Sequence, residues 1–171
     1  MWLMPKAYGL ACPVAKTLEL VGERWTLLVV RDLLRGPKKF QDLQASLDVA
    51  PGILSERLKV LEEHGIVARG FYSDHPPRAE YALTARGRDL RPVVGALAVW
   101  GSRYIHPDAG LVHETCGTRV EVAYYCPSCD ARVDDVRMRA AAASGKGATR
   151  RRRTRRVTRR GASTSAKTAA S

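Results

Sequence analysis

Residues Ala50 to Gly65, APGILSERLKVLEEHG, restrict the fold of this chain more than any other stretch. Leu54, Leu58 and Leu61 recur at i, i+4 and i+7 with Ile53 beside them, the spacing that buries one side of an α-helix against a small core. Pro51 suits the first helical turn, where a missing N–H costs nothing, and Gly65 suits the left-handed residue that stops a helix. The opposite side carries Gly52, Ser55, Glu56, Lys59 and Glu63, with Arg57 at its edge. Such a helix must pack on neighbours through its leucines while its polar face stays open to a partner.

The residues that follow predict two strands, 66–71 (IVARGF) and 79–83 (AEYAL), joined by the tip YSDHPPR. Val67, Arg69 and Phe71 alternate with Ala68, Gly70 and Tyr72, and Ala79, Tyr81 and Leu83 repeat the pattern, so one face can pack on helices. A bounded helix followed by a hairpin with a proline-stiffened cationic tip is the pattern of a winged helix-turn-helix. This is an α+β fold, mainly α with a β-hairpin wing. Periodicity alone also allows a helix and hairpin of some other α+β domain.

Upstream, 13–21 reads as a first helix through Val14, Leu18 and Val21. A second, 23–35, runs through Trp25, Leu28, Val29, Leu33 and Leu34 and stops at Gly36-Pro37; both are expected to be mostly buried, with Trp25 in the core. A third, 38–47, points Phe40, Leu43 and Leu47 inward and puts Lys38 and Lys39 at its positive end, which favours phosphate. Downstream, 84–104 reads as one long helix capped by Thr84, kinked at Pro92 and striped by Leu90, Val93, Val94, Leu97 and Trp100.

In chain order, CPVAKTLELVGERWTLLVVRDLLRGPKKFQDL, LSERLKVLEEHGIV, YSDHPPRAEYALTARGRDL and ALAVWG run through residues 12–101, within the stretch 12–104. Together they resemble the HxlR-type winged-helix transcriptional regulators, relatives of the MarR group. An ordered series with short spacers is far more specific than any one motif. One departure stands out: the family usually has Ser or Thr before the proline of the recognition helix, where this chain has Ala50. That loses an N-cap worth about 1 kcal/mol.

The resemblance implies a sequence-specific DNA-binding regulator, a dimeric repressor of a palindromic operator. The terminal helices would pair two subunits, making Leu97, Trp100 and Tyr104, with the first helix, the expected interface. In that frame 50–65 is the recognition helix, and Gly52, Ser55, Glu56 and Lys59 face base edges or flanking backbone in the major groove. Arg57 either joins them or forms an ion pair within its own domain. Lys38, Lys39, Arg69 and Arg78 fix register on phosphates, and Arg78 enters the minor groove from the wing tip beside His75.

Charge is distributed unevenly. Residues 1–135 hold 17 Lys and Arg against all 17 Asp and Glu, whereas 136–171 hold 12 basic residues and no acid, so the net charge of +12 sits in the tail. Eight arginines crowd residues 150–160 with no apolar stripe, the composition of a disordered segment 137–171 that binds polyanions without sequence preference. A general nucleic-acid-binding or architectural protein, dominated by that tail, is therefore the alternative function. No run of 18 apolar residues marks a membrane span, and the start MWLMPKAYGLACPV lacks the apolar stretch of a secretory signal; the expected location is the cytoplasm, at the nucleoid. Residues 1–11 read as an arm ahead of the 12–106 domain.

A second unit is expected at 110–135. His113-x2-Cys116 and Cys126-x2-Cys129 flank the strand-like RVEVAYY, an arrangement that suits tetrahedral structural zinc in a small zinc-ribbon-like hairpin. A metal-free hairpin or a disulfide pair are the alternatives. Cys12, at the start of the first helix near Lys16, is a candidate oxidant-sensing thiol, since a positive helix end activates cysteine, against the alternative of an inert buried thiol. An enzyme is not expected: no Ser/His/Asp order, paired carboxylates or phosphate loop is present, and four protein ligands leave zinc no open position. A small-molecule or oxidant signal fits a regulator.

Overall fold

The computed structural model describes residues 7–74 and 77–139, with no side chains described over 72–78. Its helices are α1 (Pro13–Val21), α2 (Thr26–Leu33), α3 (Phe40–Leu47), α4 (Pro51–Glu63), α5 (Ala85–Arg88) and α6 (Arg91–Tyr104). Its strands are β1 (Lys38–Lys39), β2 (Val67–Asp74), β3 (Pro77–Leu83), β4 (Tyr124–Cys126) and β5 (Ala131–Val133). β1, β3 and β2 form a three-stranded antiparallel sheet in that order, so the fold is the expected α+β winged helix.

Its core is made where α2, α3, α4 and the root of the sheet meet. Val29, Val30, Leu43, Leu54, Leu58 and Leu61 are fully buried there, and Ile66, Val67 and Leu83 close the core from the sheet. The leucine stripe of α4 therefore packs as its spacing predicts, although Ile53 stays exposed. The end of α4 is also as expected. Gly65 adopts φ +64, its N–H bonds to the Glu62 carbonyl, and the Ile66 N–H reaches back to the Leu61 carbonyl, which closes the last turn with orphan carbonyls satisfied.

Several expectations need correction. α2 begins at Thr26, because Trp25 takes a left-handed φ of 77 and restarts the helix; the inward face rotates, leaving Leu28 exposed and Val30 buried. Trp25 itself packs against the core as expected but stays half-buried, with the Arg24 guanidinium 5.0 Å from its ring centre. α1 is mostly exposed, Val14 and Leu18 included: only Ala15 and Val21 are buried, and Leu20 packs partly against the core. Lys38 and Lys39 are not a first helical turn: they pair with Tyr81 and Glu80 as a third strand, and α3 starts after them, with the Lys39 N–H donating to Asp42 Oδ2 at 3.3 Å. Residues 84–104 are two helices, because Pro92 opens α6 instead of kinking a continuous one.

Finally, the stretch 119–125 is not one strand. Val112 and Arg119 form an isolated bridge, and only Tyr124 to Cys126 pairs further on, with β5. The hairpin strands β2 and β3, conversely, run longer than expected, out to Asp74 and Pro77, with an irregularity between Phe71 and Ser73.

Candidate nucleic-acid interface

α3 and α4 are joined by a three-residue corner in which Asp48 takes a left-handed φ of 47 and Val49 is buried. Short polar side chains such as Asp tolerate this region best among non-glycine residues, so the corner is tight without a glycine. Asp32 on α2 locks it from behind. This nearly inaccessible carboxylate accepts the Ser46 hydroxyl of α3 at 2.5 Å and the Arg31 guanidinium at 2.8 Å. Burial acts to raise its pKa, but the Ser46 and Arg31 hydrogen bonds and the charges of Arg31 and Lys38 outweigh that and hold it below the ordinary carboxylate range. A lone Asp in an amphipathic pattern looks like a surface residue, so sequence reasoning passed it over.

The wing is anchored to the end of α4 by Thr84. Its hydroxyl donates to the Gly65 carbonyl at 2.6 Å and caps α5 by accepting the Gly87 N–H at 3.1 Å, as a threonine before a helix should. Gly87 lies against the chain here: a Cβ on it would sit 2.1 Å from the Ile66 carbonyl oxygen. The T-x-x-G spacing carried that signal, of which only the cap was read. Arg88 adds a bond to the Leu83 carbonyl at 2.8 Å. The return strand is thus fixed at the foot of α4.

On this frame Gly52, Ser55 and Lys59 are exposed on α4, opposite Leu54, Leu58 and Leu61. Lys59 lies 3.8 Å from Glu63 one turn on, an exposed pair that water screens. Arg57 faces inward: its side chain is only 16% exposed, 3.3 Å from Glu56 and 3.9 Å from Glu23, so the intradomain ion pair weighed for it is present. Its Nε is buried without a hydrogen-bond partner. Glu56 is engaged by the same pairing.

Lys38, Tyr81 and Arg69 are register partners across the sheet, so these side chains share one face, and Arg69 lies over the ring of exposed Phe71 at 5.2 Å. The root of that face, Val67 and Leu83, is buried in the core, and Tyr81 packs partly against it. Lys39 pairs with Glu80 on the other face. His75 lies outside the described residues, as does the side chain of Arg78, whose backbone pairs with Ser73. Gly52, Ser55, Lys59 and Arg69 are therefore exposed, and Lys38 half-exposed, on a helix and strands that pack on one core.

Outside this region, Cys12 is half-buried ahead of α1, where its carbonyl accepts the Lys16 N–H. The Lys16 ammonium turns instead to Glu19, at 2.8 Å, and Glu19 also holds the Tyr8 N–H at 2.9 Å, which seats the arm before α1. In the last unit His113 Nδ1 and Cys116 Sγ are 3.2 Å apart, and Thr118 and His113 draw the Cys116 thiol down to about 7. Cys126 is lowered too, by hydrogen bonds from the backbone and thiol of Cys129 and from the Ser128 backbone. Among the described residues no three His, Cys, Asp or Glu side chains are gathered closely enough to hold a metal ion. Nor, among them, is any helix long and apolar enough to cross a membrane.

The sequence profile of the HxlR-like helix-turn-helix family matches residues 20–109. The chain belongs to that family. It is 41% identical over 120 residues to the uncharacterised HTH-type transcriptional regulator Rv3095 of Mycobacterium tuberculosis, covering 68% of this chain and 76% of that one. Among solved structures, PA1374 of Pseudomonas aeruginosa, described as a proposed transcription factor, is 36% identical with a TM-score of 0.58, covering 78% of this chain and 96% of that one. The redox regulator HypR in its oxidised form is 34% identical with a TM-score of 0.51, covering 54% of this chain and 96% of that one. The protein is accordingly a DNA-binding transcription regulator, of a family of regulators and not of enzymes.

Proposed function

We propose that the chain acts as a dimeric repressor that reads a palindromic operator, with α4 in the major groove and the wing in the adjacent minor groove. The observation that carries this reading is the outward display of Gly52, Ser55 and Lys59 on a helix whose leucines Leu54, Leu58 and Leu61 are buried on the other side. A groove about 12 Å wide accepts one such helix. Arg57, taken up by Glu56 and Glu23, steadies the helix instead of contacting DNA. Lys38, Lys39, Arg69 and the wing-tip Arg78 and His75 supply phosphate and minor-groove contacts. Localisation at the nucleoid, in the cytoplasm, follows from that role.

Dimerisation through α1 and α6 is supported by their apolar side chains: Leu97, Trp100 and Tyr104 on α6 are 53%, 56% and 65% exposed, and Val14 and Leu18 on α1 are exposed too. An apolar face of this size on a lone chain marks an interaction surface. The arrangement would place two recognition helices about one DNA turn, ~34 Å, apart.

Competition binding at two salt concentrations tests the reading against an architectural role. A preference for one palindromic site should survive deletion of residues 137–171, while the salt slope flattens by about 0.9 for each phosphate charge no longer neutralised. Arg78→Ala should weaken specific binding by roughly 1–3 kcal/mol. A preference that vanishes with the tail would favour the architectural protein. The likeness to HypR, a redox regulator by name, supports an oxidant signal through Cys12. Diamide should then weaken operator binding in the native chain and not in Cys12→Ser; equal loss in both discards Cys12 as the sensor.

A further inference from the structure

Between Ile105 and Arg139 no residue is buried. Val120, Cys126 and Val133 are half-covered, and Leu111, Val112, Val122, Tyr124 and Tyr125 are exposed. A two-stranded hairpin without a covering layer is marginal in water, and units this small are ordinarily held by disulfides or a metal. All four cysteines of the chain are free. Neither a buried core nor a disulfide holds this segment; Leu111 lies against Gly95 of α6 and the Arg119 guanidinium donates to the Pro107 carbonyl, contacts that leave both turns at the surface.

What the segment does contain is two tight turns, each presenting two metal donors. In the first, the Gly117 N–H bonds to the His113 carbonyl and the His113 N–H to the Thr118 carbonyl, with Gly117 at φ +69. Val112 and Arg119 bridge across its base. In the second, Cys126 pairs with Ala131 at the end of β4 and Asp130 takes φ 50, so the turn 127–130 brings Cys126 and Cys129 to one tight reversal of the chain. We propose that His113, Cys116, Cys126 and Cys129 of one chain bind a single structural zinc ion that joins these turns and orders residues 110–135.

The spacing within the first turn is close to what zinc requires. With Zn–N near 2.0–2.1 Å and Zn–S near 2.3 Å at tetrahedral angles, an imidazole nitrogen and a thiolate sulfur stand roughly 3.5 Å apart. His113 Nδ1 and Cys116 Sγ, at 3.2 Å, need open by only a few tenths of an ångström. The two turns do not yet form one cluster among the described residues. They are half-sites joined by the nine residues 117–125, and metal binding supplies the energy that closes them. Three soft thiolates and an imidazole select zinc over magnesium or calcium, and fill all four positions, so the ion has no open site for catalysis. On binding, the metal takes the place of the thiol protons, which leave to solvent.

The test is metal titration of the purified full chain. Native protein should carry one zinc per chain, and cobalt(II) added to chelated protein should bind one to one, with the intense visible absorption of a tetrahedral thiolate site. Losing a supporting residue around a zinc ligand costs 10–100-fold in affinity, so Cys116→Ser and Cys126→Ser should each weaken cobalt binding by roughly 100-fold or more, while Cys12→Ser leaves it unchanged. Should a variant unfold the hairpin, amide spectra of the native chain with and without chelator still decide the matter: resonances of 110–135 should collapse on chelation while those of the α2–α4 core stay put. Failure of the native chain to bind zinc or cobalt, one metal per two chains, or full binding by Cys126→Ser would each overturn the site.

Discussion

The winged body and the 107–139 appendage share one chain and similar apolar alternation, yet only the first makes a core. In the body, the leucines of α4 meet Val29, Val30 and Leu43 from two other helices, and the sheet closes the open side. In the appendage, Tyr124 and Tyr125 alternate on a strand with no second layer to cover them, and Tyr124 remains 61% exposed. Alternation therefore yields stability only where topology brings a second apolar surface to meet it. Where it does not, order must come from turns and from whatever the turns can bind.

That contrast can be broken by substitution. Leu58→Ala should cost the body about 2–5 kcal/mol, the ordinary penalty of a cavity in a closed core. Chemical denaturation measures it, and a loss under about 1 kcal/mol would mean that the core is not closed. Gly87→Ala forces the Ile66 carbonyl to move and should cost about 1–3 kcal/mol, with the wing detaching from α4 before the core melts. Thr84→Ala, which loses the α5 cap and the bond to Gly65, should cost about 1 kcal/mol. Val133→Ala in the metal-free appendage should change global stability by less than about 0.5 kcal/mol; a larger effect would show that the two regions share a core.

Acidity sharpens the same contrast, though it acts only well below neutrality. The folded-state pKa of Asp32 is depressed, so its contribution is fully present above its unfolded value, near 3.9, and is lost as pH falls through the lower folded value. The acid unfolding of the body should carry that slope, and Asp32→Asn should flatten it. An unchanged acid transition would remove Asp32 from the α2–α3 lock.

How much was legible follows from the same physics. The inward face of α4 was readable because three leucines keep one helical period between a proline and a glycine, and no other element offers them a different partner. β1 was not, because two lysines carry no period and become a strand only when β3 lies alongside. The inner face of α2 was misassigned by a small rotation, since Trp25 in a left-handed conformation delays the helix start. The outward residues Ser55 and Lys59 were found by elimination from the buried ones. Arg57 could not be assigned from sequence, because whether an arginine meets phosphate or carboxylate depends on Glu23, which lies far away in sequence and close in space.

The central claim is that α4, and not the charge of the tail, selects the DNA sequence. Hydroxyl-radical footprinting of the full chain on a site recovered by selection from random DNA tests it most directly, with Ser55→Ala and Lys59→Ala run alongside. The account predicts two protected patches about one helical turn apart on a near-palindrome, with both patches weakened in the variants and binding to unrelated DNA unaffected. Continuous protection of any sequence, unchanged by the α4 substitutions and abolished by removing residues 137–171, would contradict it.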